Sequence, residues 1–600
     1  MNTEALKTYF GGGPLFSSSP HYSVLRAAVG NLDFPTTCGP GWPGNPGRGI
    51  KIASITMAFA LLNWHSLHFL EKLSVNVLVL ILTFAAFILA VFVTYLFTLC
   101  RFHFQLRKNQ RGQRQNPASL PYLLPWIGNG FQFACYPHAL FEFASSTSVG
   151  NSIVRARLGP NHMYIITGAE YVKAAFGSSK NLTFDSRTIQ IMEQVYGLPA
   201  GDAAPYKHSP GKAKELVSKL DQLYITNLAN RECTAAMIRQ FVKSLNAQVG
   251  CLRNDKGTEV MIGTCLRRLM ATASISALFG DAIIEKNATF VQDYWIFSKD
   301  FKRLLYGMPK LFCRKGVHAR DRMLKAIKAF ILDALQDDVG EMEPKSPTVE
   351  SSPPYVSPLV RETNKFFTEA GFSGEWRASE ALSLVFAIND NAIPTTIWIL
   401  LEILKSPGLH KQIYEEVQTS VVPDQHGNGR NCLDLSKLLT LPLLNSLYSE
   451  CLRYHLSAQL ARHLKNDIEI DGYLLKKGNL VVAPTLTAHR EPEVWLRPDH
   501  LPSEVWPERF LHVRNIKPSN YFPYGMGAIS CPGRVYAKTV ILTSVATMLL
   551  TFDFEVLGFV DDKGKACHGA PKPVAQGMGV SLPDREPLVK LKRRFSQGIM

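Results

Sequence analysis

Apolar residues are distributed unevenly along the chain, and their densest run lies near the N-terminus. Residues 73–100 read LSVNVLVLILTFAAFILAVFVTYLFTLC and contain no charged residue over 28 positions. About 20 apolar residues suffice for a helix that crosses a bilayer, whereas a buried core helix is usually shorter and has a polar stripe. The pattern therefore predicts a transmembrane anchor over residues 73–100, with a buried core helix as the alternative.

The residues on either side of this run suggest its surroundings. A second uncharged stretch, 52–70, is interrupted by Asn63, His65 and His68, which favours a membrane-associated segment over a second span. Residues 10–49 are rich in Gly, Pro and Ser, so residues 1–72 are predicted to form a flexible tail. Basic residues cluster just after the run, which predicts that the remaining chain faces the cytosol; they are Arg101, Arg107, Lys108, Arg111 and Arg114.

The pattern beyond the run predicts one folded domain after a connector. Residues 101–130 are basic and then rich in Pro and Gly, which is typical of a stiff hinge. Strand-like runs such as 162–168 then alternate with helical ones such as 322–336, and helices dominate from 376 onward. Residues 131–600 are therefore predicted to form a mainly α domain with a small β region, including short strands near 468–483 and 552–556.

Composition excludes several classes of protein. With 46% hydrophobic and 19% charged residues, the chain can bury a large core and is not mainly disordered. Its 11 cysteines are scattered without a CxxC pair, which argues against a zinc ribbon or a disulfide framework. The net charge of +16 is dispersed and has no stacking or groove-reading motif beside it, so no nucleic-acid partner is predicted.

The most informative segment lies near the C-terminus. Residues 521–534 read YFPYGMGAISCPGR and precede an apolar run that predicts a buried helix. Backbone N–H groups and a helix N-terminus are expected to face the sulfur of Cys531 and to stabilise a thiolate. Gly525 and Gly527 would permit a tight turn and the close approach of a flat ligand. A buried, inert cysteine is the alternative.

This segment resembles the haem-binding signature of cytochromes P450, aromatic-x-x-Gly-x-x-x-Cys-x-Gly, through Tyr524, Gly527, Cys531 and Gly533. The resemblance implies that Cys531 is the axial ligand of the iron of haem b. The sequence departs from the usual pattern twice, because Tyr524 replaces a phenylalanine and Ile529 replaces an arginine that meets a haem propionate in many members.

Two upstream motifs have the order and spacing of the same family. Glu450 and Arg453 match its ExxR motif, and Arg509 lies in a PERF motif. The resemblance assigns these three residues to a buried ion-pair triad that locks the haem loop; a surface salt bridge is the alternative. It also makes Arg462 a candidate partner of a haem propionate. His489 matches the family too, although a surface or helix-cap role is equally compatible with its position.

Residues 379–407 are long and apolar enough for the helix that crosses the distal face of the haem in this family. By resemblance, Asp390 takes the acid position and Asn391 the threonine position of the oxygen-binding groove. Pro394 has no N–H to donate to the carbonyl of residue 390, so the helix should open there; an ordinary buried helix is the alternative. The Asn-Ala-Ile-Pro run and the cysteine loop resemble the branch of oxysterol and cholesterol 7α-hydroxylases and prostacyclin synthase.

The resemblance implies a haem-thiolate monooxygenase anchored in the endoplasmic reticulum membrane. Its substrate would be a lipophilic small molecule such as a sterol, a terpenoid or another secondary metabolite. Electrons would come from an NADPH-cytochrome P450 reductase, because no flavin or nicotinamide motif is present, and Arg534 and Lys538 lie near the expected docking surface. An isomerase or dehydratase that needs no reductase is the alternative enzyme, and a haem-binding protein without catalysis is a third possibility.

Overall fold

A computed structural model describes residues 75–110, 116–147, 152–177, 181–183, 185–229, 231–252, 257–335, 355–423, 431–513, 515–527, 530–574 and 578–594. The predicted tail over 1–72 and its uncharged stretch, 52–70, lie outside the described residues. The chain divides into two units, and the boundary falls inside the first described helix, between Ala86 and Phe87.

Helices dominate the described residues, which confirms the predicted fold class. The first is Val75–Gln110, whose apolar part meets the length and composition required of a membrane span over Val79–Asn109. The longer of the other helices are Pro137–Thr147, Asp185–Gln194, Pro210–Ala229, Arg231–Gly250, Ile262–Phe279, Phe290–Leu305, Arg314–Ala334, Pro358–Glu369, Gly374–Asn389, Ala392–Lys405, Pro407–Gln418, Pro442–His455 and Arg534–Thr551. The shorter ones are Gly130–Cys135, Ala169–Phe176, Ala200–Lys207, Ala282–Lys286, Leu435–Leu438, Thr485–Ala488, Pro492–Trp495 and Arg509–His512.

The β region is small and peripheral. Its largest sheet has six strands in the order Ala118–Ser119, Ser152–Leu158, Asn161–Thr167, Leu480–Pro484, Gln459–Leu464 and Leu182–Thr183. A second sheet orders Ala566–Cys567, Phe552–Val560, Glu586–Arg593 and Thr258–Met261. Two hairpins pair Ile468–Ile470 with Tyr473–Leu475 and Val421–Pro423 with Asn431–Leu433.

Three helices form the centre of the core because they are apolar on almost every side. These are Ile262–Phe279, Ala392–Lys405 and Arg534–Thr551, each buried along most of its length. Residues 374–405 are also long and apolar enough to cross a membrane, but 72% of their most apolar window is buried within the protein. That segment is therefore a core helix, in contrast to Val79–Asn109.

The C-terminal part of the first helix packs on the folded domain. Phe102 is fully buried in a cluster with Leu140 and Val154, and the Thr98 hydroxyl donates to the carbonyl of Tyr122 at 3.2 Å. Residues 101–110 thus continue the helix, whereas a hinge was predicted over 101–130. The physical reason is Phe102, since an apolar side chain facing a core every few residues keeps the helix intact past the basic residues.

The long apolar segment over 379–407 is interrupted where Pro394 predicts an opening. One helix ends at Asn389 and the next begins at Ala392, so Asp390 and Asn391 lie between them. Thr395 donates both its N–H and its hydroxyl to the carbonyl of Asn391, at 3.1 and 2.7 Å. The ring of Pro394 offers no such donor to the carbonyl of Asp390.

Candidate active site

The loop before helix Arg534–Thr551 is held on the largest sheet. Phe522 and Met526 are buried in a cluster with Tyr164 of that sheet. Gly525 and Gly527 have φ angles of 81° and 62°, in the left-handed region that a side chain disfavours. The chain then turns back, and the loop presents its cysteine just ahead of the helix.

The thiol of Cys531 is free and reachable by solvent. The Cys531 N–H closes the loop by donating to the carbonyl of Tyr524 at 2.7 Å. The protein packed around the sulfur raises the pKa of Cys531 by desolvation, although a hydrogen bond from the Gly533 N–H and the charge of Arg534 act in the opposite direction. The Gly533 N–H therefore acts on the sulfur in the direction that the sequence predicts, but desolvation outweighs it in the metal-free protein. A metal cation beside the sulfur would favour the thiolate.

Glu450, Arg453 and Arg509 come together in the interior and are each 0% exposed. Arg453 forms a two-pronged contact with Glu450, from Nε to Oε2 at 2.7 Å and from Nη2 to Oε1 at 2.8 Å. Arg509 Nε donates to the same Oε1 at 3.0 Å, and the Trp506 N–H adds a further bond at 2.9 Å. The surface salt bridge considered from sequence does not describe this cluster.

The two guanidinium groups also bind the backbone of the following segment. Arg453 donates to the carbonyls of His489, Pro502 and Glu504 at 2.8–2.9 Å. Arg509 donates to further carbonyls in the same segment, those of Trp495 at 2.7 Å and Leu501 at 2.9 Å. One buried carboxylate and two arginines thus fix the path of the chain between helix Pro442–His455 and the cysteine loop.

His489 connects this cluster to the loop. Its ring is fully buried, and its Nε2 accepts the Phe522 N–H at 3.1 Å, while its carbonyl receives Arg453. Burial, with Arg453 adding to it, lowers the pKa of His489 to about 3, so the ring is neutral and can accept. A surface role is thus wrong; its backbone caps the short helix Thr485–Ala488.

Tyr524 gains a partner that phenylalanine could not bind. Its hydroxyl lies in hydrogen-bonding contact with the hydroxyl of Tyr448, which is on the same helix as Glu450 and Arg453. Tyr521 bonds to this helix as well, through the carbonyl of Ser449 at 3.0 Å. The departure from the family pattern at Tyr524 therefore adds a polar tie between loop and helix.

Asp390 is a half-buried acid at the interruption of the central helix. Its Oδ1 accepts from the Ser298 hydroxyl at 3.0 Å. Burial raises the pKa of Asp390 from 3.8 to about 7, and the Ser298 bond opposes this shift. A carboxyl with such a pKa can both hold and release a proton near neutral pH.

The side chain of Asn391 has a definite structural partner. Its Oδ1 accepts the Val580 N–H at 2.9 Å, so it fastens the segment near the C-terminus to the central helix. Gly579 has a φ of 110°, and a Cβ there would lie 2.3 Å from Asn391 Oδ1. The structure thus brings Asn391 beside Asp390, but its amide oxygen is already used.

Arg462 lies on the strand Gln459–Leu464 and is half-buried. Alternate residues of a strand share a face, so Arg462 lies on the side of Leu460 and Leu464. Both leucines belong to the cluster that holds Phe522 and Met526 of the cysteine loop. This position is compatible with the expected propionate role.

A second buried acid went unnoticed in the sequence. Glu380 accepts from the hydroxyls of Tyr224 and Ser383, and burial raises the pKa of Glu380 to about 7. The sequence contained one indication of this, because Glu380 is a carboxylate within the apolar segment 379–407. The Ser298–Asp390 contact could not be predicted from sequence, because the two residues are 92 positions apart.

The residues present fit a haem. No group of three or more His, Cys, Asp or Glu that could hold a metal ion is found in the described part of the chain. Cys531 is free and accessible, and Gly527 leaves its side without a side chain. Gly525, Gly527 and Gly533 thus place no side chain on this loop that would obstruct a flat ligand.

Comparison with known proteins identifies a family. The sequence model of the family "Cytochrome P450" matches residues 117–573. A cytochrome P450 monooxygenase of Penicillium decumbens, calL, is 26% identical over 78% of this chain and 91% of its own length. The human 24-hydroxycholesterol 7-alpha-hydroxylase is 22% identical over 78% of this chain and 94% of its own length, which supports the resemblance to 7α-hydroxylases. A solved cyanobacterial cytochrome P450 with retinoic acid bound superposes with a TM-score of 0.59, 18% identity and coverage of 80% of this chain and 100% of that one.

Proposed function

The chain belongs to the cytochrome P450 family and is an oxidoreductase of the monooxygenase type. On that premise we propose that it is a membrane-anchored haem-thiolate enzyme that oxidises a lipophilic small molecule with O2 and electrons from NADPH through a separate reductase. The observation that carries this proposal is the accessible thiol of Cys531 on a loop that His489 and Tyr524 tie to a buried ionic cluster.

The proximal residues have distinct roles in this proposal. Cys531 would bind the iron of the haem as a thiolate, and Gly533 directs its N–H to that sulfur. Arg462 meets a propionate, while Glu450, Arg453 and Arg509 keep the loop in place. When bound, haem b supplies the activation of O2 and the oxidation of the substrate.

The distal residues handle protons and the shape of the pocket. Asp390 holds a proton near neutral pH and exchanges it through the Ser298 hydroxyl, on helix Phe290–Leu305. Asn391 keeps the 578–580 segment against the central helix through Val580. A carboxyl with a pKa near 7 can hold and release a proton at neutral pH, which monooxygenation would require and isomerisation would not.

Apolar surface supports a membrane location and a lipophilic substrate. The window of highest hydropathy within Val79–Asn109 is 0% buried, and Trp126, Leu311 and Phe312 are 82%, 69% and 65% exposed. Exposed aromatic and aliphatic side chains of this size are typical of surfaces that meet lipid. We place the enzyme in the endoplasmic reticulum membrane with its domain in the cytosol, and the similarity to a sterol hydroxylase favours a sterol, terpenoid or similar secondary metabolite.

An acidic face of an NADPH-cytochrome P450 reductase would contact the proximal side. Arg534 is exposed three residues after Cys531, and its guanidinium also donates to the Cys531 carbonyl at 3.2 Å. Lys538 is partly engaged, because its ammonium donates to the carbonyl of Leu439 at 3.3 Å. Arg534 is therefore the stronger candidate for a contact that steers the reductase.

Spectra of the reduced, CO-bound protein test this proposal, recorded with and without reductase and NADPH. A thiolate-type band that forms through the reductase, followed by substrate oxidation that consumes NADPH and O2, is the expected result. Complete conversion of an oxygenated substrate without reductase, NADPH or O2 would instead identify an isomerase or dehydratase. No thiolate-type band under any condition would refute Cys531 as the iron ligand.

A further inference from the structure

A basic pocket of about 310 Å³ lies where the first helix meets the edge of the largest sheet. It is separate from the cysteine loop and from the central helix. Its charged and polar lining comprises Arg101, Ser119, Tyr122, Arg155, Arg157 and His162.

The strand register explains why these residues meet. Arg155 and Arg157 are two positions apart on strand Ser152–Leu158, so they share a face. His162 is the cross-strand partner of Arg157, and Ser119 is the partner of Arg155 on the other side. Arg101 joins them from the helix Val75–Gln110.

The pocket concentrates positive charge without a compensating acid. None of Arg101, Arg155 and Arg157 forms a salt bridge with a described acidic residue. Burial lowers the pKa of Arg155, and the nearby Arg101 lowers it further; burial and then Arg155 and Arg157 lower the pKa of His162. Like charges gathered in this way repel one another and favour an anion between them.

Two buried polar atoms in this pocket also have no hydrogen-bond partner. They are Nε of Arg155 and Nδ1 of His162. Arg157, by contrast, donates its Nε to the carbonyl of Gly159 at 3.1 Å. A buried donor is normally satisfied, and an oxyanion would satisfy the guanidinium of Arg155 with the geometry that phosphate prefers.

An apolar groove of about 320 Å³ includes Pro121, which directly precedes Tyr122 of the basic pocket in the chain. It is lined mainly by Tyr95, Pro121, Tyr136, Leu140 and Phe143. Tyr95 precedes Arg101 on the same helix by roughly 9 Å of helix rise. The apolar groove therefore lies toward the membrane-spanning part of the helix, and the basic pocket lies toward its cytosolic end.

We infer that the two pockets together bind one anionic phospholipid, with its phosphate in the basic pocket and an acyl chain in the apolar groove. The inference rests on the proposed membrane anchoring, because the helix brings both pockets to the bilayer surface. A free phosphate ion would offer the same oxyanion but would leave the apolar groove unused. The order of the two pockets along the helix favours the lipid.

Native mass spectrometry of the full haem-loaded chain, released from nanodiscs, tests this inference. The nanodiscs contain about four parts phosphatidylcholine to one part phosphatidic acid, so that both lipid classes compete. Arg155→Gln is the main variant, because Arg155 Nε has no partner to lose. Arg155→Lys retains the positive charge but lacks the planar guanidinium that binds an oxyanion through two N–H groups. Arg101→Gln removes the charge that the first helix contributes to the pocket. Arg268→Gln is the control, at an exposed arginine outside the pocket.

We expect the wild type to retain phosphatidic acid in preference to phosphatidylcholine, and Arg155→Gln to reduce that preference about tenfold. Arg101→Gln should act in the same direction, Arg155→Lys should be intermediate, and Arg268→Gln should match the wild type. An unchanged CO spectrum shows that each variant is folded. If Arg155→Gln does not give this spectrum, the lipid preference of Arg101→Gln becomes the test of the inference. Equal retention of both lipids by the wild type and the pocket variants would overturn the inference.

Two further outcomes also overturn it and identify what failed. If inorganic phosphate displaces the retained lipid, the basic pocket is a site for a soluble anion. If the chain does not enter nanodiscs of any composition, the proposed anchoring is wrong, and the lipid site fails with it. Insertion with no preference among lipids leaves the anchoring intact and refutes the site alone.

Discussion

Replacing Arg453 with alanine should destabilise the protein far more than the same replacement at an exposed arginine that also follows its acidic partner by three residues. Arg453 is 0% exposed and donates five hydrogen bonds, two to Glu450 and three to backbone carbonyls. Its removal leaves Glu450 with one arginine instead of two and leaves those carbonyls without this donor. Removing one member of a buried ion pair costs about 3–5 kcal/mol, a large share of a typical stability of about 5–15 kcal/mol.

The chain contains a matched control. Asp300 and Arg303 have the same i, i+3 spacing and a distance of 2.9 Å, but Arg303 is 57% exposed. Asp300 is buried but keeps the Gly316 N–H as a donor at 3.1 Å, and solvent screens the exposed Arg303, so Arg303→Ala should cost only about 0–1 kcal/mol. The two variants therefore differ in burial and not in helix geometry.

Thermal unfolding and haem content measure the difference. For a domain of this size, an unfolding entropy of about 2.1 cal/mol/K per residue makes 1 kcal/mol equal to about 1 °C. Arg453→Ala should lower the midpoint by several degrees and reduce the yield of haem-loaded protein, whereas Arg303→Ala should do neither. If Arg453→Ala were as stable and as haem-loaded as Arg303→Ala, with altered products only, the cluster would not support the loop.

Three further predictions concern the site itself. Cys531→Ala should abolish the thiolate-type CO band and all turnover, whereas Cys567→Ala should retain both; a retained band in Cys531→Ala would assign the iron to another ligand. Burial raises the pKa of Asp390 from 3.8 to about 7, so the native protein loses stability as pH rises from about 4 to about 7. Asp390→Asn should thus match the wild type in stability below pH ~4 and exceed it at pH ~7, while NADPH consumption yields peroxide in place of product; equal pH profiles would refute the shift. Asn391→Thr should lose the bond to Val580, worth about 1 kcal/mol, and raise KM without loss of haem, as measured by titration of substrate and by absorbance.

The proximal half of the site could be predicted from sequence because its members are fixed by short motifs. Glu450 and Arg453 are one helical turn apart, and Cys531 lies on a loop whose glycines mark its turns. Arg509 is 56 residues beyond Arg453, yet its motif and its distance from the cysteine were sufficient to place it in the cluster. Local spacing and family resemblance together predicted which residues form the cluster. The structure shows in addition that both arginines donate to backbone carbonyls of the 489–504 segment.

The distal half could not be predicted in the same way, because its contacts join residues that are far apart in sequence. Asp390 meets Ser298, and Asn391 meets Val580 at a separation of 189 positions. The sequence predicted a helix opening at Asp390 and Asn391, but it contained no sign that the Asn391 amide oxygen accepts the Val580 N–H. The desolvation of the Cys531 sulfur was not predictable either, since it depends on tertiary packing that no motif records.

The carboxyl groups of Glu450 and Glu380 are buried, that of Asp390 is half-buried, and the three have hydrogen-bond partners of two different kinds. Glu450 receives two guanidinium groups and a backbone N–H, so its charge is fully compensated. The partners that the structure shows for Asp390 and Glu380 are hydroxyl groups, and burial raises the pKa of both to about 7. Keeping such acids uncompensated destabilises the folded state at neutral pH, where their ionised form is poorly solvated. A destabilising carboxyl of this kind is useful on a helix that exchanges protons, but it would only weaken a helix that supports a loop. We therefore assign Asp390 to the proposed reaction and Glu450 to the structural support of the cysteine loop.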